Sequence, residues 1–516
     1  MHTDARTLDD GRLIDGDLCI VGAGAAGISM ALDWADRSER VILLEGGGFE
    51  VSSEMQALYE NANSGREYYP LESARLHFFG GTTGHWGGLC TPFDPIDFAE
   101  RDWVPHSGWP IGREDLAPYY RDAAGVLRLP SPNWDPNYWA NRRSGAPLAV
   151  DEGRWRTKMW QWSGGAGPPV RFGSDYRTEI EQADNIHLFT HANVCNIVAN
   201  ESGSRVEELT VRHFNGDEQT VRAPHIVLAC GAVQNARLML ASNDQVPVGL
   251  GNEHDQVGRH FMEHVEIDSA RLVVPEAQSL PFYQLSSDDG QSSPAWGLLQ
   301  PTRHVQEKRK TLNGAVRFNR EAVKSNDAFT FDDFPEDARK ILAFIEKSDA
   351  ESDSTGANRS FPELTRFQLN TRMEQAPDPA SRVTLSEETD ALGVPRADLH
   401  WTLSEQDKRS IRVINEAVGQ ELGRIGLGRV QLMRWLRADD ASWPDFLTGG
   451  WHHMGTLRMA ERPENGVVDE NCRVHGVDNL YVASSAVFST GSCANPTLTI
   501  VALSLRLSDH LKGIVG

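Results

Sequence analysis

With 516 residues, 40% of them hydrophobic and 24% charged, the chain has the composition of a globular protein, long enough at ~100–200 residues per domain for two or three domains or one with large insertions. A formal net charge of -23, spread along the chain, excludes nucleic acid and anionic membrane as expected partners, since both need positive potential at the contact. Six cysteines (Cys19, Cys90, Cys195, Cys230, Cys472, Cys493) without a C-x-x-C pair give neither a metal-ligand spacing nor a disulfide framework.

Met1 to Gly16 alternates charges, with no basic-then-apolar order and no twin arginine, so a cytoplasmic protein is expected. Leu18-Cys19-Ile20-Val21 predicts a short strand, Gly22 to Gly27 a glycine turn, Ile28 to Arg37 a helix and Arg40 to Glu45 a second strand, together a βαβ unit of ~30 residues. The apolar stretch Leu18 to Met30 is broken by glycines and falls short of the ~20 residues needed to span a bilayer. Between Asn185 and Leu240, Val206 to His213 and Gln219 to Arg222 alternate around Asn215-Gly216, a hairpin signal. His225 to Ala229 then predicts a buried strand, Cys230-Gly231-Ala232 a turn and Gln234 to Leu240 a helix. Ser279 to Ser360 reads as polar and irregular, with Asp349 to Asn358 composed like a mobile loop. Ser404-Glu405-Gln406-Asp407 is a capping-box start, and Ile411, Ile414, Val418 and Leu422 keep helical spacing behind it. Asn479 to Ala483 predicts a strand and Thr497 to Leu511 an apolar-faced helix.

Gly22-Ala23-Gly24-Ala25-Ala26-Gly27 is G-x-G-x-x-G between a strand and a helix, answered by Glu45 about 20 residues on at the end of the next strand. Glycines there permit the tight turn, close approach to a pyrophosphate and helix–strand packing, the helix N-terminus offers free N–H groups to the anion, and the acid accepts from ribose hydroxyls. The motif predicts a dinucleotide without separating FAD from NAD.

Two later segments make that choice: Phe79-Gly80-Gly81-Thr82-Thr83-Gly84-His85-Trp86-Gly87-Gly88, and Trp451-His452-His453-Met454-Gly455-Thr456 followed by Asn479-Leu480-Tyr481-Val482-Ala483-Ser484 and Ala494-Asn495-Pro496-Thr497-Leu498-Thr499; Gly258-Arg259-His260-Phe261-Met262 lies between the two. In these residues the sequence resembles the glucose–methanol–choline (GMC) oxidoreductases, most of all the pyranose oxidase branch and its bacterial glycoside 3-oxidase-like, sugar-oxidising relatives. The resemblance implies FAD on a Rossmann-type domain, with an inserted substrate-binding domain of antiparallel sheet plus helices. It divides the chain into FAD-binding segments 1–100, 185–265 and 441–516, a cap or substrate segment 101–184 and a substrate-binding segment 266–440. FAD contacts are implied for Gly22, Gly24, Gly27, Glu45, Gly81, Thr83, His85, Trp86, Gly87, Gly88, Val194, Gly231, Ser484, Asn495, Pro496 and Thr497.

The family pattern makes His452 the base and Asn495 its partner. Hydride leaves a carbinol carbon easily only as the hydroxyl proton departs; a neutral imidazole can take that proton, and an amide can donate to the developing alkoxide. His453 stands one place too close to Gly455 for the base and is expected to pack or support. His85 stands where pyranose oxidases bond covalently to the flavin 8α-methyl; relatives with a similar run lack the bond, so covalent and non-covalent contacts are both carried forward. Gly87 replaces the threonine of pyranose oxidases beside flavin N5 and C4a, which leaves the electron acceptor open between oxygen and another oxidant. Ser484 stands where many members have Asp. Trp86, Trp103, Trp109 and Trp451 cluster with the motifs and suit a sugar face, although core packing accounts equally for most tryptophans. The expected substrate is a small-molecule alcohol, a carbohydrate or glycoside oxidised at a secondary hydroxyl. Alternatives are another polyol or aminosugar natural product, a lyase on the same fold with structural FAD, and a flavin subunit of an electron-transfer complex.

Overall fold

The computed structural model describes residues 1–275, 280–284, 294–320, 364–438 and 440–515. Through them, with shorter elements between, run β1 (Leu18–Val21), α1 (Ala25–Asp33), β2 (Val41–Leu44), β3 (Trp155–Trp162), β4 (His225–Leu228), α2 (Gly231–Ala241), β5 (His264–Pro275), β6 (Ala295–Pro301), β7 (Gly314–Arg320), β8 (Leu364–Glu374), α3 (Glu405–Arg424) and α4 (Thr497–Val515).

Every residue of β1 and β2 is buried, as are Ile226, Val227 and Leu228 of β4. Strands apolar on both faces need cover on both, which a parallel sheet packed by helices supplies. They form a six-stranded, wholly parallel sheet in the order His2–Asp4, Ile186–Thr190, β2, β1, β4, Leu480–Val482. Leu18 of β1 lies opposite Val41 on one side and His225 on the other. α1 is shifted toward the N-terminus from the stretch Ile28 to Arg37: it starts inside the glycine motif and gives out before Asp36, whose φ of 63° no helix tolerates. α4 packs along α1, and Ser508 and Lys512 both donate to the Asp33 carboxylate. The Asn215-Gly216 signal is a hairpin, Val206–Arg212 pairing antiparallel with Glu218–Arg222 and Gly216 taking φ 91°.

The second layer is an antiparallel sheet ordered Arg429–Leu432, β5, β8, β7, β6, β3, Leu89–Cys90, with Thr448–Gly449 beside β5. Along β5, Val265 and Ile267 enter one core while Glu266 and Asp268 point away. A bulge between Asp268 and Ala270 resets the alternation, so Ala270, Leu272 and Val274 return to that core. α3 covers this face with Ile411, Ile414, Val418 and Leu422, each worth roughly 1.5–3 kcal/mol when buried. Its start is the expected capping box, Ser404 and Asp407 exchanging side-chain-to-backbone bonds. The other face carries Glu266, Arg372, Trp160 and Trp296 toward the parallel-sheet layer.

The irregular reading of Ser279 to Ser360 is corrected where the chain is described: β6 and β7 lie inside the antiparallel sheet. β6 is buried at every position, so it shows no alternation, and Gly297 and Pro301 at its middle and end suggest a loop. Asp349 to Asn358 lies outside the described residues. Among the described residues, no helix is long and apolar enough to cross a membrane, and no cluster of three or more His, Cys, Asp or Glu side chains could hold a metal.

Candidate active site

A cavity of about 560 Å³ runs from the carboxyl end of β1 to the antiparallel sheet. At its first end each glycine of the motif has its own duty. Gly22, at φ 103°, lies so near β4 that a Cβ would sit 2.9 Å from the Ala229 carbonyl group. Gly24 is the N-cap of α1, and a Cβ there would meet nothing within 4 Å, leaving its face open to the cavity. Gly27 does not line the cavity; a Cβ there would overlap the Gly22 carbonyl oxygen, so this glycine sets the approach of α1 to the turn. Glu45 is buried and accepts from the Ala23 and Gly47 N–H groups at 3.0 and 2.9 Å. Burial pushes its carboxyl up, and the amides of Gly47, Ala23 and Gly46 oppose the shift. Val194 and Gly231 complete this end.

The loop Gly81 to Gly88 forms the middle. Thr83 donates to the Gly80 carbonyl, Trp86 Nε1 donates to Val170 at 2.8 Å, and Arg171 donates to the carbonyls of Thr83 and Trp86. Gly88 takes φ 77° where a Cβ would press on Pro169, while beside Gly87 a Cβ would meet nothing within 4 Å. Gly81, Thr83, His85, Trp86, Gly87 and Gly88 all line the cavity. His85 is part-buried, and its ring nitrogens are turned away from the cavity. A glycine cradle at a helix N-terminus, open at Gly24 where a Cβ would meet nothing within 4 Å, and an acid at the ribose position fit FAD. Ser484, Pro496 and Thr497 line the cavity too, and Ser484 Oγ accepts from Asn235, a fully buried amide that also receives the Cys230 N–H. Asn235 carried no sequence signal, because its role is to join turns distant in the chain.

At the far end the fold brings His452 and Asn495 together, with His452 Nε2 3.3 Å from Asn495 Nδ2. Asn495 Oδ1 accepts from Trp160 Nε1 at 3.0 Å and from Arg372 Nη1, two groups that only donate, so its amide nitrogen is turned to the histidine. His452 Nδ1 lies 2.8 Å from Nδ1 of His264 on β5. His453 also lines the cavity but bonds to the Tyr68 hydroxyl at 3.0 Å, away from Asn495. Tyr68 in turn donates to Glu263, whose other oxygen accepts the main-chain N–H groups of His264 and His452. Trp451 and Ser492, one before His452 and the other beside His264, hold φ of 59° and 55°, uncommon for residues other than glycine. His264, Glu263 and Arg372 were not found from sequence: the first two lie directly after the Gly258–Met262 motif, and Arg372 sits on a strand with no motif.

Burial, followed by the neighbouring His264, Arg372 and His453, holds His452 well below the usual imidazole range. Burial and then Arg372 bring His264 down to about 4. Burial raises Glu263 to about 7 against the opposing bonds from Tyr68, His452 and His264. Burial also acts to raise Glu266, but Arg372 and Arg317 outweigh it and leave the carboxyl below its ordinary value. Of the four tryptophans near the motifs, Trp86 and Trp451 line the cavity, whereas Trp109 is buried with its Nε1 on Thr490 and Trp103 packs on the second core.

A dinucleotide cradle that opens onto an uncharged imidazole and an amide donor is the equipment of an FAD-dependent alcohol oxidoreductase. A family model described as FAD dependent oxidoreductase matches residues 17–263, and one described as GMC oxidoreductase matches residues 377–504. Residues 377–504 thus carry a GMC oxidoreductase domain, and FAD is the cofactor of the chain. It is 24% identical to paromamine 6'-oxidase of Streptomyces fradiae, over 98% of this chain and 93% of that one. It is 25% identical to C-glycoside 3-oxidase of Microbacterium trichothecenolyticum, over 84% of this chain and 74% of the relative. The solved structure of pyridoxine 4-oxidase from Mesorbium loti shares the fold, with a TM-score of 0.54, 16% identity and coverage of 96% and 99% of the two chains.

Proposed function

We propose that the protein oxidises a sugar or glycoside, removing hydride from a secondary carbinol carbon to leave a ketone. The observation that carries this reading is the facing pair, His452 Nε2 and Asn495 Nδ2, in one cavity with the FAD cradle. An alcohol oxygen within reach of both gives its proton to the imidazole and accepts from the amide as negative charge develops. Bound FAD supplies the hydride acceptor, and oxygen or another oxidant then regenerates it. His452, held neutral by burial, is ready to take a proton across the whole neutral range.

Carbohydrate is favoured by the wall the substrate meets. Trp86 and Trp451 line the cavity, and Trp451, 44% exposed, stands 5.4 Å from the His85 ring. Flat apolar faces beside polar groups suit a pyranose ring, whose hydroxyls find Glu266 and Arg372, paired in register across β5 and β8. A secondary hydroxyl matches what the name of the C-glycoside 3-oxidase relative implies; an aminosugar alcohol is the second reading, carried by the match to paromamine 6'-oxidase. Anaerobic mixing with a panel of sugars, glycosides and aminoglycosides, followed by product analysis, separates them. Bleaching of the flavin band by a glycoside with ketone formed supports the first, and an aldehyde from an aminoglycoside the second. Turnover of an alcohol substrate with no bleaching would point to a lyase instead.

A further inference from the structure

We propose that His264 fixes the tautomer of His452, keeping the nitrogen that faces the substrate free of a proton. The proposal rests on the reading of His452 as the base and gives that base its polarity. His264 is fully buried, and its Nε2 lies 2.8 Å from the Ser492 carbonyl and 3.1 Å from that of Gly491. Carbonyl oxygens only accept, so the His264 proton sits on Nε2. In a neutral ring Nδ1 is then a lone pair, and the hydrogen in the 2.8 Å contact between the two Nδ1 atoms belongs to His452. With its one proton on Nδ1, neutral His452 presents a bare Nε2.

The opposite end of the network reaches the same answer independently. Trp160 and Arg372 both donate to Asn495 Oδ1, so Asn495 meets His452 Nε2 with its N–H groups, and the 3.3 Å contact requires an acceptor there. Main-chain carbonyls at one end and obligate donors at the other leave a single consistent arrangement of protons. Glu263 ties the two backbones together, one carboxylate oxygen accepting the main-chain N–H of His264 and of His452 at 2.8 Å each. The charged and titratable groups around His264 are His452, Glu263, Glu266 and Arg372, and burial with Arg372 keeps its ring uncharged above about pH 4.

When the substrate O–H bond breaks and an N–H bond forms at His452 Nε2, the imidazolium donates from Nδ1 to His264. The proton goes no further, because beyond His264 stand only carbonyls that cannot take one. His264 is therefore a positioning residue, and the proton leaves by way of the cavity.

Two amide variants separate this role from space filling. His264→Asn places an amide oxygen where Nδ1 stands and keeps an acceptor for His452; His264→Gln reaches the Nε2 position and leaves the Nδ1 position empty. Anaerobic flavin reduction is expected to fall at least ~10²-fold in His264→Gln, as when a catalytic imidazole loses its tautomer partner, with the substrate concentration dependence little changed and FAD retained. His264→Asn is expected to stay within ~10-fold of wild type, although Gln is nearer histidine in size. In ¹⁵N NMR of the histidine-labelled wild-type holoenzyme, the signals absent from His452→Ala should show Nδ1 protonated and Nε2 bare. Protonated Nε2 on His452, or a Gln variant as fast as the Asn one, overturns the proposal. Wild-type flavin reduction in His452→Ala overturns the base assignment instead, and the NMR result still decides the tautomer.

Discussion

At the scale of single residues, the two atoms set to handle the alcohol proton are 3.3 Å apart and belong to side chains held by different neighbours. His452→Ala is expected to slow anaerobic flavin reduction by ~10²–10⁴-fold with FAD still bound. Asn495→Ala loses one donor to a developing oxyanion, worth ~2.7–4 kcal/mol, and the double variant should fall short of the product of the two, because both act on one oxygen. His453→Ala, which removes a bond to Tyr68, should be much milder; stopped-flow absorbance of the flavin compares all four. The pH profile follows from the sign of the His452 shift. A base whose pKa is lowered is lost to protonation only below the usual imidazole value, so the reduction rate should stay level as pH falls through 6.5 and decline on the acid side of it. A decline centred at or above 6.5 would contradict the buried setting. For His85, acid precipitation separates the two attachments: a yellow pellet means a covalent bond, a yellow supernatant none. With a covalent bond His85→Ala should release the flavin; without one it should only perturb the flavin spectrum.

At the scale of elements, the glycines of one turn respond differently to the same methyl group. Gly27→Ala forces α1 off the turn and should lower the melting temperature of the apoprotein, whereas Gly24→Ala leaves it nearly unchanged and weakens FAD retention. Calorimetry of apoprotein and a flavin-release assay read the two effects. In α3, Ile414→Ala empties a fully packed site over the antiparallel sheet and should cost ~2–5 kcal/mol in denaturant unfolding, with flavin reduction by folded enzyme unchanged. These elements were legible because their signals are local: glycine spacing around Gly22, the cap at Ser404, the turn at Asn215. β6 was not, because burial on both faces removes the alternation that marks a strand, and β7 alternates only from Val316 onward, too short a run beside a polar stretch to stand out. His452 and Asn495, proposed as base and donor, stood out through motifs, whereas His264, Arg372 and Trp160 join them only after β3, β5 and β8 pair across long separations.

At the scale of the whole molecule, the parallel layer carries the glycine cradle that would hold FAD and the antiparallel layer lines the far end of the same cavity. His452 and Asn495 sit in loops between the two, so neither layer alone makes the site. The sequence placed nucleotide-binding pieces at the start, middle and end of the chain, and the sheet pairing of β1, β4 and Leu480–Val482 shows how those pieces meet. Which face of the inserted sheet meets the cavity was not legible, since it is decided by the bulge in β5 and by α3 covering the opposite face. The late position of Leu480–Val482 has a consequence for biosynthesis. A ribosome releases β1, α1 and β4 long before it releases the strand that pairs with β4, and until then β4 is an open apolar edge on the nascent chain. The cavity lining begins at the early glycine turn and ends at Ser484 and Asn495 to Thr497, so the cleft is completed only when the C-terminal segment docks.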